Sequence, residues 1–392
     1  MKKTINDIDL YHKRVLLRAD FNVPLTKERV ADDSRIRKTL PTIRKLIEQR
    51  SKVIVCSHLG RPKGKPVDAL RLDPVAERLS ELLNMPVPKI DETVGTRVSE
   101  AVEKIGWGEV VMVENTRFDP GEKKNDEKFA RKLADLADVY VDDAFAASHR
   151  AHASTEKVAH YLPAVAGLLM AEEINTLGKV LEHPAPPLVF ILGGAKVSDK
   201  IQVIERMLSK ADSLLIGGGM ANTFLKARGN RIGNSKVEAE QLETAGSILK
   251  KYWKQIFLPQ DVVVAEKFEA DASIQTVEVE HIPDGWQIMD IGPDTTSLYI
   301  DKIYDAQTVV WNGPLGVYEM APFAKATDRI AEALSETDAV TVAGGGDLGA
   351  AIAKTGLENK LTHVSTGGGA FLDFLAGKAL PGVSVLMDKS MP

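Results

Sequence analysis

Four arginines, Arg18, Arg61, Arg117 and Arg150, stand at or just beyond the ends of short apolar, β-branched runs. A guanidinium is permanently charged and offers paired N–H donors to one carboxylate or phosphate. Like charges gathered at neighbouring strand ends repel one another unless an anion neutralises them, so the set predicts a phosphate-bearing, carboxylate-bearing small substrate. Other polar groups share these positions. Arg18-Ala19-Asp20-Phe21-Asn22-Val23-Pro24 supplies a cation, a carboxylate and an amide before a proline turn, although an Asx-turn with a surface ion pair explains that segment equally well by itself. Ser57-His58-Leu59-Gly60-Arg61-Pro62 adds an imidazole and a glycine that permits close backbone approach. Arg35 and Arg37 open a helix for which Ser34 is the expected N-cap, and a solvated face is the plain alternative for them. His149 and His152, near Asp142 and Asp143, lack a strong metal-ligand pattern.

The second half of the chain carries glycines where the first carries arginines. Gly193-Gly194-Ala195-Lys196-Val197-Ser198-Asp199-Lys200 follows an apolar run and is read as the opening of a helix, where free N–H groups and the helix dipole meet phosphate oxygens. On such a helix Lys196 and Lys200 share a face near the N-terminus, an unfavourable place for two cations unless an anion is present. The run is not a Walker A loop. Gly217-Gly218-Gly219, Gly344-Gly345-Gly346 and Gly367-Gly368-Gly369 follow further apolar runs; close strand-to-helix packing accounts for one such triplet better than for three. Gly344–Gly349 also fits Gly-x-Gly-x-x-Gly, but without the acidic residue after the next strand a dinucleotide-dependent oxidoreductase is the lesser alternative. Asp347, an acid directly after a glycine turn, suits Mg²⁺ beside phosphates, since that ion takes one or two carboxylates and keeps several waters. In Trp311–Glu319, Asn312 and Glu319 suit a nucleotide's phosphates and ribose hydroxyls, and a rigid turn is the plain alternative.

These loops need strands to carry them. Runs at Arg14–Arg18, Lys52–Ser57, Glu109–Glu114, Val139–Asp142, Leu188–Leu192, Ser213–Ile216, Asp261–Ala265, Thr308–Trp311, Ala339–Val342 and His363–Ser365 read as buried parallel strands. Helix-period stretches such as Ser198–Lys210 and Lys236–Tyr252 lie between them. The alternation predicts an α/β fold with two doubly wound, Rossmann-like parallel sheets. An amphipathic helix from Ala171 to Glu182, closed by His183-Pro184-Ala185-Pro186-Pro187, is the expected hinge. It divides a lobe at 1–170 from a lobe beginning at 188, with 171–187 as helix and linker. In open sheets of this kind ligands bind beyond the carboxyl ends of the strands, where the arginines and glycines fall.

The whole 392-residue chain has a formal charge of −5, unevenly shared: 1–170 carries +4 and 171–392 carries −9, and 14 of 18 arginines lie in the first part. With no dense basic run, neither a nucleic-acid nor an anionic-membrane surface is expected. The one cysteine, Cys56, excludes an intrachain disulfide and fits a reducing cytoplasm. Asp7 and Asp9 interrupt any signal-like apolar region, and the longest apolar, uncharged stretch, Tyr161–Ala171, is short of the roughly 20 residues of a spanning helix.

The ordered set Arg18–Pro24, His58–Pro62, Glu114–Phe118, His149–His152, Gly193–Ile201, Gly217–Ala221, Trp311–Glu319, Gly344–Asp347 and Ser365–Gly369 resembles the phosphoglycerate kinase family over essentially the whole chain. The resemblance implies Mg²⁺-dependent phosphoryl transfer between 1,3-bisphosphoglycerate and ADP, giving 3-phosphoglycerate and ATP. It implies that Asp20, Phe21, Asn22, Arg35, His58, Leu59, Gly60, Arg61, Arg117 and Arg150 bind 3-phosphoglycerate. It assigns Arg35, Lys196 and Lys200 to the transferring group. It places Gly193, Gly217, Gly218, Gly292, Asn312, Glu319, Gly345, Gly346, Asp347 and Leu348 around the nucleotide, with Asp347 holding the metal. The family usually has Thr or Ser where Leu348 stands, and Gly-Thr-Ala where Ala146-Ala147-Ser148 stands. A cytoplasmic monomer is implied, with a nucleotide lobe at 188–377 and a final segment, 378–392, returning to the first lobe. A non-catalytic protein using the same cleft would be expected to lose Lys200, Arg35 or Asp347, and all three are present.

Overall fold

Val15, Leu16 and Leu17 are fully buried because their strand, Arg14–Arg18, lies in the middle of a five-stranded parallel sheet. Lys52–Cys56 and then Val110–Met112 flank it on one side, Val139–Asp142 and then Ala164–Ala166 on the other. The computed structural model describes residues 1–27 and 29–389. Continuous apolar runs are what strands covered on both faces require, and the helix Ser34–Glu48 covers one face with Ile36, Leu40, Ile43 and Leu46 at helical spacing. Its first helical residue is Ser34. The cap position falls to Asp33, whose carboxylate is taken by Arg37 and Arg78, so the expected Ser34 cap is displaced by one residue.

A second sheet repeats the plan with six strands, in the order Ile256–Phe257, Ser213–Ile216, Leu188–Leu192, Thr308–Asn312, Val340–Gly344 and His363–Ser365, all parallel. Asp261–Ala265 departs from expectation. It pairs antiparallel with Ile274–Glu278 and Gln287–Ile291 in a separate three-stranded sheet. The link from Ala265 to Ile274 is shorter than the dozen or so residues of a parallel crossover, which leaves a hairpin as the available connection.

The chain forms two compact units, Met1–Asn175 together with the C-terminal segment from Ala379, and Thr176–Lys378. The division falls inside the helix Leu168–Glu182. The C-terminal segment is bonded into the first unit: Gly382 N–H donates to the Ser148 carbonyl (2.9 Å), Met387 N–H to Ala164 (2.9 Å) and Lys3 N–H to Met387 (2.7 Å).

Candidate active site

In the first unit the polar groups sit where the strands end. Arg18, the last residue of its strand, is buried, and its guanidinium donates to Ser154 Oγ (2.9 Å) and to His58 Nδ1 (3.0 Å). A guanidinium only donates, so Nδ1 of His58 is the acceptor and its proton resides on Nε2. Burial, then the charges of Arg18, Arg117 and Arg35, hold His58 well below the ordinary histidine range, so it stays neutral and keeps one N–H to donate. Arg35, in the first turn of its helix, pairs with Asp20. The Asn22 side chain accepts from Gly60 N–H (2.8 Å), and Arg117 donates to the Gly60 carbonyl (2.8 Å). Asn115 fixes this turn by accepting from the N–H groups of Leu59 (3.2 Å) and Arg117 (3.1 Å).

Arg117 is buried beside other cations. Burial, then Arg150 and Arg18, bring it down to about 10, and its Nε has no hydrogen-bond partner among the described residues. Arg61 and Arg150 are exposed, and Arg150 Nε contacts His149 Nε2 at 3.0 Å. Phe21 and Leu59 are buried, and their N–H groups donate to Ser57 Oγ (2.9 Å) and Asn115 (3.2 Å), so both shape the turns and leave no free donor. Asp142 and Asp143 are fully buried, and burial raises them to about 7 and about 6. Asp143 accepts from Met170 N–H (3.1 Å) at the head of the helix Leu168–Glu182. An open groove of about 640 Å³ between Arg29–Arg37 and Pro74–Glu81 contains none of the site side chains, and its Arg37 and Arg78 are already paired with Asp33 and Glu81.

In the second unit three glycine loops pack against one another. Gly193 N–H donates to the Asn312 carbonyl (2.9 Å) and Gly194 N–H to that of Pro314 (2.8 Å), while Gly218 N–H donates to Leu315 (2.8 Å). Gly218 has φ +63°, and a Cβ there would lie 2.6 Å from the Gly194 nitrogen, so this position admits only glycine. Gly217 caps the helix Gly218–Arg228, and Gly345 caps the helix Gly346–Thr355 on which Asp347 stands in the first turn. Gly292 caps a third helix and packs against the Asp261 carboxylate.

The lysine pair corrects the sequence expectation. The helix begins only at Ile201, and Lys196 and Lys200 do not share a face: Lys196 is exposed, whereas Lys200 is buried. The reason lies in Glu238, whose carboxylate accepts from the N–H groups of Val197 (2.5 Å) and Ser198 (3.1 Å) and so holds 194–200 as a loop. Lys200 Nζ donates to the carbonyls of Gly193 (2.5 Å) and Asn312 (3.3 Å). Burial lowers it to about 8, against the opposing charges of Asp199 and Asp347.

Beside these loops opens a cavity of about 240 Å³. Gly194, Gly218, Glu319 and Asp347 line its polar side, while Leu225, Val262, Phe268 and Met289 form an apolar wall. No sequence signal marked that wall, since Phe268 stands in an acidic loop without a motif. The Asn312 side chain is buried and donates to the Gly344 carbonyl (2.6 Å). Leu348 is fully buried in the apolar core with Val309 and Trp311. Leu348→Thr is therefore expected to lower the Tm by several degrees through lost packing, about 2 kcal/mol, and to leave the nucleotide KM within about twofold. Thermal melting and steady-state kinetics on the same preparation check both halves.

A family model described as phosphoglycerate kinase matches residues 5–378. The chain belongs to the phosphoglycerate kinase family. It is 54% identical over 391 residues to the phosphoglycerate kinase of Moorella thermoacetica, covering 99% of this chain and 100% of that protein. The phosphoglycerate kinase of Pelotomaculum thermopropionicum is 53% identical with the same coverage. Among solved structures, phosphoglycerate kinase from Coxiella burnetii is 41% identical with a TM-score of 0.88, and that from Pyrococcus horikoshii is 35% identical with a TM-score of 0.89. Each covers 98% of both chains. Membership of this family removes the oxidoreductase alternative drawn from Gly344–Gly349.

Proposed function

We propose that the family's reaction, reversible transfer of a phosphoryl group from 1,3-bisphosphoglycerate to ADP to give 3-phosphoglycerate and ATP, runs in this chain between two anion sites, one on each unit. Arg18, Arg35, His58, Arg61, Arg117 and Arg150, with Asp20 and Asn22, form the phosphoglycerate site, and Phe21, Leu59 and Gly60 shape its turns through N–H groups that donate to Ser57, Asn115 and Asn22. The loops at Gly193, Gly217–Gly218 and Gly345–Gly346, with Glu319 and the apolar wall, form the nucleotide site. Gly292, Asn312 and Leu348 support it from behind; Asn312 does so by giving its carbonyl to Lys200.

The reacting oxygens, a carboxylate or a nucleotide phosphate, are ionised at neutral pH, so no general base is needed. Catalysis is positioning and charge neutralisation along an in-line path. Arg35, Lys196, Lys200 and the helix N-terminal amides spread the charge of the transferring group. Because donor and acceptor sites belong to different units, the step follows a closure that also excludes water from the acyl phosphate.

Among the described residues no group of three or more His, Cys, Asp or Glu side chains could hold a metal. A lone carboxylate on a helix N-terminal turn fits Mg²⁺ that arrives on nucleotide phosphates with its waters, and Asp347 is the residue that would hold it. Bound there, the ion would neutralise phosphate charge. The working form in this reading is a cytoplasmic monomer without a nucleic-acid partner; no helix among the described residues is long and apolar enough to cross a membrane.

The observation that carries the proposal is Lys200, a buried cation set where the glycine loops meet. An assay coupled to 3-phosphoglycerate, Mg²⁺ and ATP should show turnover that requires all three; turnover without 3-phosphoglycerate would refute the assignment. The state of Lys200 gives a second expectation. Only its charged form serves the phosphoryl group, so kcat/KM for the nucleotide should fall as pH rises through about 8. Bound phosphates favour the charged form, so the same fall in kcat should come at higher pH. Superimposable profiles would contradict this role.

A further inference from the structure

Glu122 belongs to none of the motifs, yet it is fully buried, at 0% exposure. Its Oε1 accepts from Ser154 Oγ (2.6 Å) and Thr116 Oγ1 (3.3 Å), and its Oε2 accepts from Ser154 N–H (3.0 Å). Its main-chain carbonyl accepts from Ala153 N–H (2.9 Å), and His152 Nδ1 lies 3.9 Å from Oε1. These partners come from separate pieces of the phosphoglycerate site. Thr116 directly precedes Arg117. Ser154 closes the segment that begins with Arg150, and its hydroxyl in turn accepts from Arg18 Nε (2.9 Å).

A carboxylate without water is tolerated only where hydrogen bonds and opposite charge compensate it. Here the hydrogen bonds are complete, and the compensating charges are arginines of the site. We infer that Glu122 is a positioning residue for phosphoglycerate binding: through Ser154 and Thr116 it fixes Arg18 and the turn that presents Arg117, keeping the arginines assembled when no anion is bound. The inference rests on the reading of this cluster as the phosphoglycerate site. Glu122 also opposes the mutual repulsion that pulls Arg117 down.

Glu122→Gln keeps the volume but removes the charge and one acceptor oxygen, so a Ser154 donor meets an NH₂ group. Two effects then compete. The more positive field attracts anions but is screened, whereas loss of the fixed arginine geometry removes charge-assisted hydrogen bonds to the ligand. The second effect dominates, and KM for 3-phosphoglycerate should rise about tenfold while KM for MgATP stays within about twofold. A purely structural role would lower the Tm and the active fraction without separating the two KM values.

The experiment measures both KM values and the Tm for Glu122→Gln, Ser154→Ala and Arg117→Ala. Ser154→Ala leaves the carboxylate in place and should raise the phosphoglycerate KM about threefold, so the inference remains testable if Glu122→Gln does not fold. Arg117→Ala separates the two levels of the argument. If it raises the phosphoglycerate KM while Glu122→Gln and Ser154→Ala do not, the site stands and the positioning role falls. If it too leaves that KM unchanged, the site reading falls and takes the inference with it. An equal rise in both KM values for Glu122→Gln also overturns the inference.

Discussion

Arg35→Ala is expected to lower kcat by about 10²–10³-fold while KM for MgATP changes by no more than about twofold. The guanidinium stands in the first turn of the helix Ser34–Glu48, where the dipole disfavours a cation and the turn holds no acidic residue. Asp20 offsets that cost in the resting protein. The total charge is unchanged in the transfer but moves between the transferring group and the entering and leaving oxygens, so a cation aimed at those atoms is felt in the transition state rather than in nucleotide binding. Stability should fall by about 1–2 kcal/mol, because the Arg35 side chain is 34% exposed but its partner Asp20 is only 10% exposed and is left without its cation. Steady-state kinetics with each substrate varied in turn is the check, and a variant retaining kcat would remove Arg35 from the mechanism.

The second large effect concerns Lys200→Met, for which kcat should fall about 10³-fold with the Tm within a few degrees of the parent. Two opposed terms explain the small change in stability. Burial lowers the ammonium from 10.5 to about 8. That shift corresponds to a cost of about 3 kcal/mol at neutral pH, which methionine avoids. Methionine also leaves the Gly193 carbonyl without its donor and takes the longer of two from the Asn312 carbonyl, which keeps the Gly193 N–H; that costs about 1–3 kcal/mol, so the terms nearly cancel. The sign of the pH dependence follows. Between about pH 8 and 10.5 the unfolded chain holds this proton and the folded chain does not, so parental stability gains with rising pH relative to the variant. Below pH 8 both states are protonated and the difference is constant. Denaturant unfolding of the two proteins at pH 7 and pH 10 measures it; parallel curves at both values would contradict the buried charge.

Sequence reading reached the strands and their ends because each parallel strand is a short apolar run whose loop must carry function. Arg14–Arg18, Val139–Asp142, Leu188–Leu192, Ser213–Ile216 and His363–Ser365 occur at the expected bounds. It misread Asp261–Ala265, since a buried central strand looks the same whether its neighbours run parallel or antiparallel. Only the length of the following link carries that information. The lysine pair was misplaced for a different reason: the helix start is delayed by Glu238, some 40 residues downstream, and no local pattern reports a long-range hydrogen bond. Glu122 was invisible on similar grounds. A lone acid between Gly121 and Lys123 reads as surface, and its burial depends on Thr116 and Ser154 coming from two other loops.

The C-terminal segment bonds to Lys3, to Ala164 and, through Gly382, to Ser148, two residues before Arg150. During synthesis, therefore, the unit that carries the arginine cluster is begun before the other and completed after it. Residues 176–378 emerge as an uninterrupted stretch and hold every part of their own sheet and glycine loops. The segment behind Arg150 is tied down only once Gly382 has been made, after the whole of the second unit.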